Sequence, residues 1–127
     1  MAGAYSPFEP AARPGTSPTE KPRYRVLVHR RFSELWNELA NRVGLASAQQ
    51  FYDHVSTNPG QPPPVNSATI LRGKAGAPKF EGSSRTIHYE ISGAGRINYQ
   101  FANQFTGDLH GDPHRVVFIL AIDFDSH

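Results

Sequence analysis

The chain reads as an α+β domain: an antiparallel sheet of about four strands with an N-terminal αα-hairpin packed on one face, in the order β-α-α-β-β-β. Apolar residues at helical spacing between residues 32 and 55 predict the hairpin, and apolar–polar alternation after residue 86 predicts the sheet. Proline sets the domain boundary. Five of the 11 prolines of the 127-residue chain (Pro7, Pro10, Pro14, Pro18, Pro22) fall in the first 22 residues, among Gly, Ser and Thr and without an apolar run. Such a stretch buries too little surface to offset its ordering entropy. Residues 1–22 are therefore expected to be a disordered arm and residues 23–127 the folded domain.

Tyr24 to His29, rich in Val and Leu, suits a short strand. A helix is expected next, with Ser33 as N-cap, an apolar face of Phe32, Leu35, Trp36, Leu39 and Val43, and Gly44 as its stop. Ser47-Ala48-Gln49-Gln50 has the form of a capping box, opening a second helix with Ala48, Phe51, Tyr52 and Val55 on its apolar face and Asn58-Pro59 at its end. The short connection makes the two helices antiparallel neighbours. Pro62 to Pro64 excludes helix and central strand. A short strand is expected at Ala68 to Leu71, within a loop that continues to Ser84.

Three further strands follow, Thr86 to Ile91, Arg96 to Phe101 and Val116 to Phe124, the first two joined by the Ser92-Gly93-Ala94-Gly95 turn. Side chains at every second strand position share a face. Ile87, Tyr89 and Ile91 with Ile97, Tyr99 and Phe101 then form an apolar wall for the helices. Thr86, His88 and Glu90 with Arg96, Asn98 and Gln100 form the opposite, polar face. Unbroken alternation in the last strand puts Phe118, Leu120, Ile122 and Phe124 in one row, and Val117, Ile119, Ala121, Asp123, Asp125 and His127 in the other. Two histidines and an arginine in one polar row are groups that titrate near neutrality or hold phosphate.

With no cysteine, disulfides, thiolate nucleophiles and Cys-ligated metal sites are excluded. No apolar run approaches the roughly 18 residues of a membrane span, and Met1 to Pro10 lacks the basic-then-apolar pattern of a secretory signal; a cytoplasmic protein without membrane association is expected. The net charge is only +2, yet ten of the 13 cations are Arg, whose planar fork suits phosphate. Five cations (Arg72, Lys74, Lys79, Arg85, Arg96) face Glu81 and Glu90 between residues 72 and 96, whereas the last twenty residues carry four Asp against Arg115. That asymmetry suggests a polyanion-facing region. His110-Gly-Asp112-Pro-His114 and Asp123-Phe-Asp125-Ser-His127 alternate metal-type ligands, but the first carries Gly and Pro and reads as a hairpin loop; no metal or other cofactor is assigned.

The element order, together with Ser47 to Pro59, Ile70-Leu71-Arg72-Gly73-Lys74, Ser84-Arg85-Thr86-Ile87, Gly95-Arg96-Ile97-Asn98-Tyr99 and the closing strand Val116 to His127, resembles the RelE/ParE toxin superfamily over roughly residues 23–127. The closing histidine is similar to that of its YoeB-like branch. The resemblance implies the toxin of a type II toxin-antitoxin pair, an endoribonuclease (mRNA interferase) that cuts mRNA, usually on the ribosome, without a metal. It further implies a cognate antitoxin that wraps the domain in a hetero-oligomer. Such cleavage requires a base for the ribose 2′-hydroxyl, cations for the phosphorane and an acid for the leaving 5′-oxygen. Arg96 takes the phosphate-holding position, His127 the general acid, and Glu81 or His88 the base. Arg72, Lys74, Arg85 and Asn98 are the expected substrate-binding residues.

The closing strand departs from the pattern at Asp123 and Asp125, where many relatives carry basic or small residues. Carboxylates on a substrate face repel phosphate. This departure supports the alternative, a non-catalytic binding module of the same fold, either a gyrase-directed toxin of the ParE branch or an inactive protein-binding relative.

Overall fold

The computed structural model describes residues 8–15, 23–60, 69–70, 73–78, 83–92, 95–105 and 114–124. Strands β1 (Phe8–Pro10) and β2 (Arg25–His29) precede a 3₁₀ turn (Arg30–Phe32) and helices α1 (Ser33–Asn37), α2 (Leu39–Val43) and α3 (Leu45–Thr57). Strand β3 (Thr69–Ile70), a second 3₁₀ turn (Gly73–Gly76), and strands β4 (Ile87–Glu90), β5 (Arg96–Phe105) and β6 (His114–Asp123) complete the order. The α+β class is as expected. The sheet is larger than expected, with six strands in the order β1-β2-β6-β5-β4-β3, and it is mixed, because β2 and β6 run parallel while the other pairs are antiparallel.

The mixed sheet follows from where the most apolar strand is buried. In β6, Val116, Val117, Phe118 and Ile119 are all fully buried, so both faces of the strand need cover and it takes a central position. Inserted between β2 and β5, it pairs Arg25 with Val116 and Leu27 with Phe118. It runs antiparallel to β5 and parallel to β2.

Residues 8–15, expected within a disordered arm, are docked. Phe8 pairs with His29 at the sheet edge, and the Ala11 N–H donates to Val26 O at 2.9 Å. The side chain of Phe8 enters an apolar cluster with Leu27, Val116 and Phe118, crossing Phe118 edge-on at 5.1 Å. Arg13 clasps Asp53 of α3 through two bonds of 2.8 and 3.0 Å, and the Trp36 indole donates to Ala12 O at 2.9 Å. A proline-rich segment with few apolar groups is thus held by one buried aromatic ring, one ion pair and the ladder of β2.

The expected first helix is two pieces, broken at Glu38, and it has no side-chain cap; Ser33 lies inside α1. The cap acts one turn earlier, where His29 Nδ1 accepts the Arg31 N–H at 3.2 Å. The next helix starts at Leu45 rather than at a Ser47 capping box. Gly44, at φ 93°, makes the turn, and its carbonyl accepts the Ala48 N–H as the first helical bond. Trp36, Leu39, Ala48, Phe51, Tyr52 and Val55 pack on Val26, Val28, Tyr89, Ile97, Tyr99, Val117 and Ile119 as the main core. Phe51 is central, edge-on to Tyr89 at 4.9 Å and Tyr99 at 5.7 Å. No helix among the described residues is long and apolar enough to cross a membrane.

The alternation predicted for β4 and β5 holds, since Ile87, Tyr89, Ile91, Ile97, Tyr99 and Phe101 all belong to the helix-side core. In β6 it breaks. Tyr99 pairs with Ile119 and Asn98 with Ala121, so Leu120 is an extra residue, a bulge that reverses the facing of everything after it. Ile119 and Ile122 therefore both face the helices, while Phe118, Ala121 and Asp123 face the other way.

Candidate functional site

The face of the sheet opposite the helices divides in two. At the β2 side it is apolar and covered by Phe8. At the β4–β5–β6 side it is polar, because the cross-strand pairs there are His88 with Asn98, Glu90 with Arg96, Arg96 with Asp123 and Asn98 with Ala121. The last two depend on the bulge at Leu120, which turns Asp123 and the small Ala121 onto this face. The missing bulk of Ala121 leaves a pocket of about 140 Å³ lined by His88, Arg96, Asn98, Ala121 and Asp123.

His88 Nδ1 lies 2.6 Å from Asn98 Oδ1. With the amide oxygen as acceptor, Nδ1 carries the proton, and in the neutral ring Nε2 is the nitrogen with the free lone pair, so the bond orients the ring as a base. Arg96 is held from the neighbouring strand β4 and from the residues that join β4 to β5. Its Nη1 donates to Ser92 O and Gly95 O, both at 2.9 Å, and its Nε lies 3.5 Å from Glu90 Oε1, with only 14% of the side chain exposed. The turn is tight because Gly95 has no side chain: a Cβ there would meet Ser92 Oγ at 2.6 Å. The guanidinium is thereby fixed in one place, at the edge of a pocket that Asp123 also lines.

A buried amide beside the pocket fastens the adjoining loop. Gln100, fully buried, donates from Nε2 to Ala77 O and Thr86 Oγ1 at 2.9 Å each and accepts from Ser83 Oγ at 3.1 Å. The Thr86 N–H donates in turn to Gly76 O at 2.9 Å. This loop carries Lys74 and Arg85, both exposed, and neither lines the pocket. Of the expected site residues, the fold brings His88, Arg96 and Asn98 together, whereas Arg72, Glu81 and His127 lie outside the described residues, as do His110, Asp112 and Asp125. Asp123, expected on the polar face as a carboxylate that repels phosphate, pairs across the strands with Arg96, which only the register makes visible. Gln100 had no signal beyond its place in the same row, where a glutamine normally meets water.

No family model, curated protein or solved structure matches this chain. The geometry of the site therefore stands by itself. On the helix side of the same strands, the Tyr89 hydroxyl is pushed up to about 12 by burial, and the Tyr99 hydroxyl is also raised, by burial and by Tyr89. Both hydroxyls are buried with no hydrogen-bond partner among the described residues. The nearby His54, whose ring centroid is 6.5 Å from that of Tyr89, is held below its ordinary value by burial, and its Nε2 likewise has no partner among the described residues. These groups pack under the sheet and do not reach the polar pocket. Among the described residues, no group of three His, Cys, Asp or Glu side chains is placed to hold a metal ion.

Proposed function

We propose that this protein is a RelE-like toxin of a type II toxin-antitoxin pair, an endoribonuclease that cleaves mRNA on the ribosome by acid-base chemistry of its own side chains. The observation that carries the reading is the His88–Asn98 hydrogen bond beside Arg96 in one pocket, an oriented base next to a fixed cation. His88 Nε2 removes the proton of the ribose 2′-hydroxyl. The 2′-oxygen attacks the adjacent phosphorus, Arg96 stabilises the charge on the phosphorane, and the 5′-oxygen leaves as a hydroxyl protonated by a general acid, the role proposed for His127. The products are a 2′,3′-cyclic phosphate and a 5′-hydroxyl. The cognate antitoxin binds the cationic loop around Lys74 and Arg85 and keeps RNA away from the pocket.

The test is cleavage of ribosome-bound mRNA by the purified chain, with 5′ ends mapped and the cyclic phosphate identified. His88→Gln removes the base while retaining a hydrogen-bonding side chain, and a loss of about 100-fold or more is expected. Arg96→Gln is expected to lose a similar factor. Wild-type rates in both variants would sink the assignment.

One observation favours a second reading, the non-catalytic binding module. Glu90 and Asp123 flank Arg96 and place negative charge where a phosphate would sit. In that case the chain cuts no RNA under any condition, and toxicity in a growth assay survives His88→Gln while depending on a protein target such as gyrase.

A further inference from the structure

A second pocket, on another part of the molecule, is larger than the first. It has a volume of about 450 Å³, within the range of small-molecule clefts, and is lined by Arg23, Tyr24, Thr57, Asn58, Pro59, Gly60, Phe101, Asn103 and Arg115. Among the described residues, no carboxylate is in the lining. Its origin is topological. Because β2 and β6 are parallel, the residues leading into both strands lie at the same end of the sheet, and this brings Arg23 beside Arg115. Strand β5 runs antiparallel to β6, so its far half, Phe101 to Asn103, reaches that end too. The end of α3 is tied there by the Arg23 and Tyr24 N–H groups, which both donate to Ser56 O at 2.8 Å.

The two arginines differ from others in the chain. Arg13, Arg42 and Arg96 each face a carboxylate, of Asp53, Glu38 and Glu90. Arg23 and Arg115 are exposed and make no ion pair among the described residues. Two planar cations that share one cleft and face no carboxylate among the described residues suit a phosphate.

The remaining lining suits what a nucleotide carries beyond its phosphate. Tyr24 and Phe101 meet edge-on at 6.2 Å and are only partly buried, so they present an aromatic wall. Tyr24 is held by its hydroxyl, which donates to Asn103 Oδ1 at 2.6 Å. Gly60 closes on the Phe101 ring, where a Cβ would lie 3.0 Å from Cζ. Asn58 and Asn103, both exposed, add amide donors and acceptors at the rim.

We propose that this cleft is a binding site for a nucleoside phosphate, with Arg23 and Arg115 on the phosphate and the Tyr24–Phe101 wall against the base. The site is separate from the His88 pocket and does not depend on cleavage chemistry there. The ligand is either a free nucleotide or the terminal nucleotide of an RNA strand, which share this chemistry.

The full-length chain, labelled with nitrogen-15, is titrated with adenosine monophosphate, ribose 5-phosphate, inorganic phosphate and a short oligoribonucleotide, following the amide resonances of Tyr24, Asn58, Gly60 and Asn103. Saturable shifts at these amides with adenosine monophosphate are expected. Affinity should fall about tenfold in Arg23→Gln and about tenfold in Arg115→Gln, since each loses a charge-assisted bond. Removing the base should cost about tenfold or more, so ribose 5-phosphate binds more weakly. An oligoribonucleotide that binds tighter than the mononucleotide identifies RNA as the source, and equal affinity identifies the free nucleotide. Absence of saturable shifts at millimolar ligand overturns the proposal, as does equal binding by wild type and the Arg23→Gln/Arg115→Gln double variant. Equal affinity for inorganic phosphate overturns the nucleotide assignment. Both arginines are exposed, so the variants are expected to keep the wild-type circular dichroism spectrum.

Discussion

Replacing Gln100 by Leu tests whether the loop before β4 belongs to the folded unit. Among the described residues the amide bonds to Ala77 O, Thr86 Oγ1 and Ser83 Oγ, and both Gln100 and Thr86 are buried. Each bond contributes about 1 kcal/mol net, so their loss costs about 3 kcal/mol. The extra apolar burial of Leu returns about 1 kcal/mol, the value of a methylene. The expected loss is therefore about 2 kcal/mol, and for a urea slope of about 1.5 kcal/mol/M the midpoint falls by about 1.3 M. The assay is urea unfolding followed by fluorescence of Trp36, which is buried against Phe51 and Tyr52 and is the single tryptophan. Local detachment of the loop is read separately, as faster hydrogen exchange at the Thr86 amide bonded to Gly76 O. An unchanged midpoint together with unchanged Thr86 exchange would refute the reasoning.

The same physics applies elsewhere. Tyr89→Phe and Tyr99→Phe remove buried hydroxyls that have no partner among the described residues, so each is expected to raise stability by about 1 kcal/mol in urea unfolding; a comparable loss would mean that the hydroxyl is bonded. Because Tyr89 ionises near 10 when unfolded and at about 12 when folded, its share of stability is complete below pH 10 and disappears as pH rises toward 12. Tyr89→Phe should therefore move the alkaline unfolding midpoint upward. His54 has the opposite sign. Its folded value lies below the ordinary 6.5, so the unfolded chain binds a proton first and stability falls as pH drops below about 6.5. His54→Phe should flatten that acid limb of the melting-temperature profile, and an unaltered limb would rule His54 out as its cause. Phe8→Ala empties the aromatic place beside Phe118 and should cost about 2 kcal/mol, less than a full core truncation because the arm can detach. Loss of the arm also uncovers the edge of β2, so concentration-dependent self-association by light scattering is expected in this variant.

Local periodicity carried much of the fold. The two-residue alternation in β4 and β5 identified the helix-facing wall from Ile87 to Phe101 and placed His88, Asn98 and Arg96 on the other face, because the facing of a side chain within a regular strand depends only on its neighbours. The apolar stripe through Trp36, Leu39, Phe51 and Val55 located the helices in the same way. Their boundaries were less legible. Gly44 carries the turn in its backbone conformation and the box at Ser47 goes unused, a competition that is settled by how the helices meet the sheet.

What the amino-acid sequence alone determined was the α+β class, the inward faces of the helices, β4 and β5, and three members of the candidate site. Tertiary structure decided the rest, through partners distant in the chain. The bulge at Leu120 arises from pairing with β5, and it moves Asp123 next to Arg96. The central place of β6 makes it parallel to β2 and gathers Arg23 and Arg115 at one end of the sheet. Residues 8–15 are ordered by surfaces contributed from β2, α1, α3 and β6, none of which a proline-rich stretch advertises in its own composition. Periodicity is a property of neighbours a few residues apart, whereas register, strand order and the docking of an arm depend on energies between segments tens of residues apart.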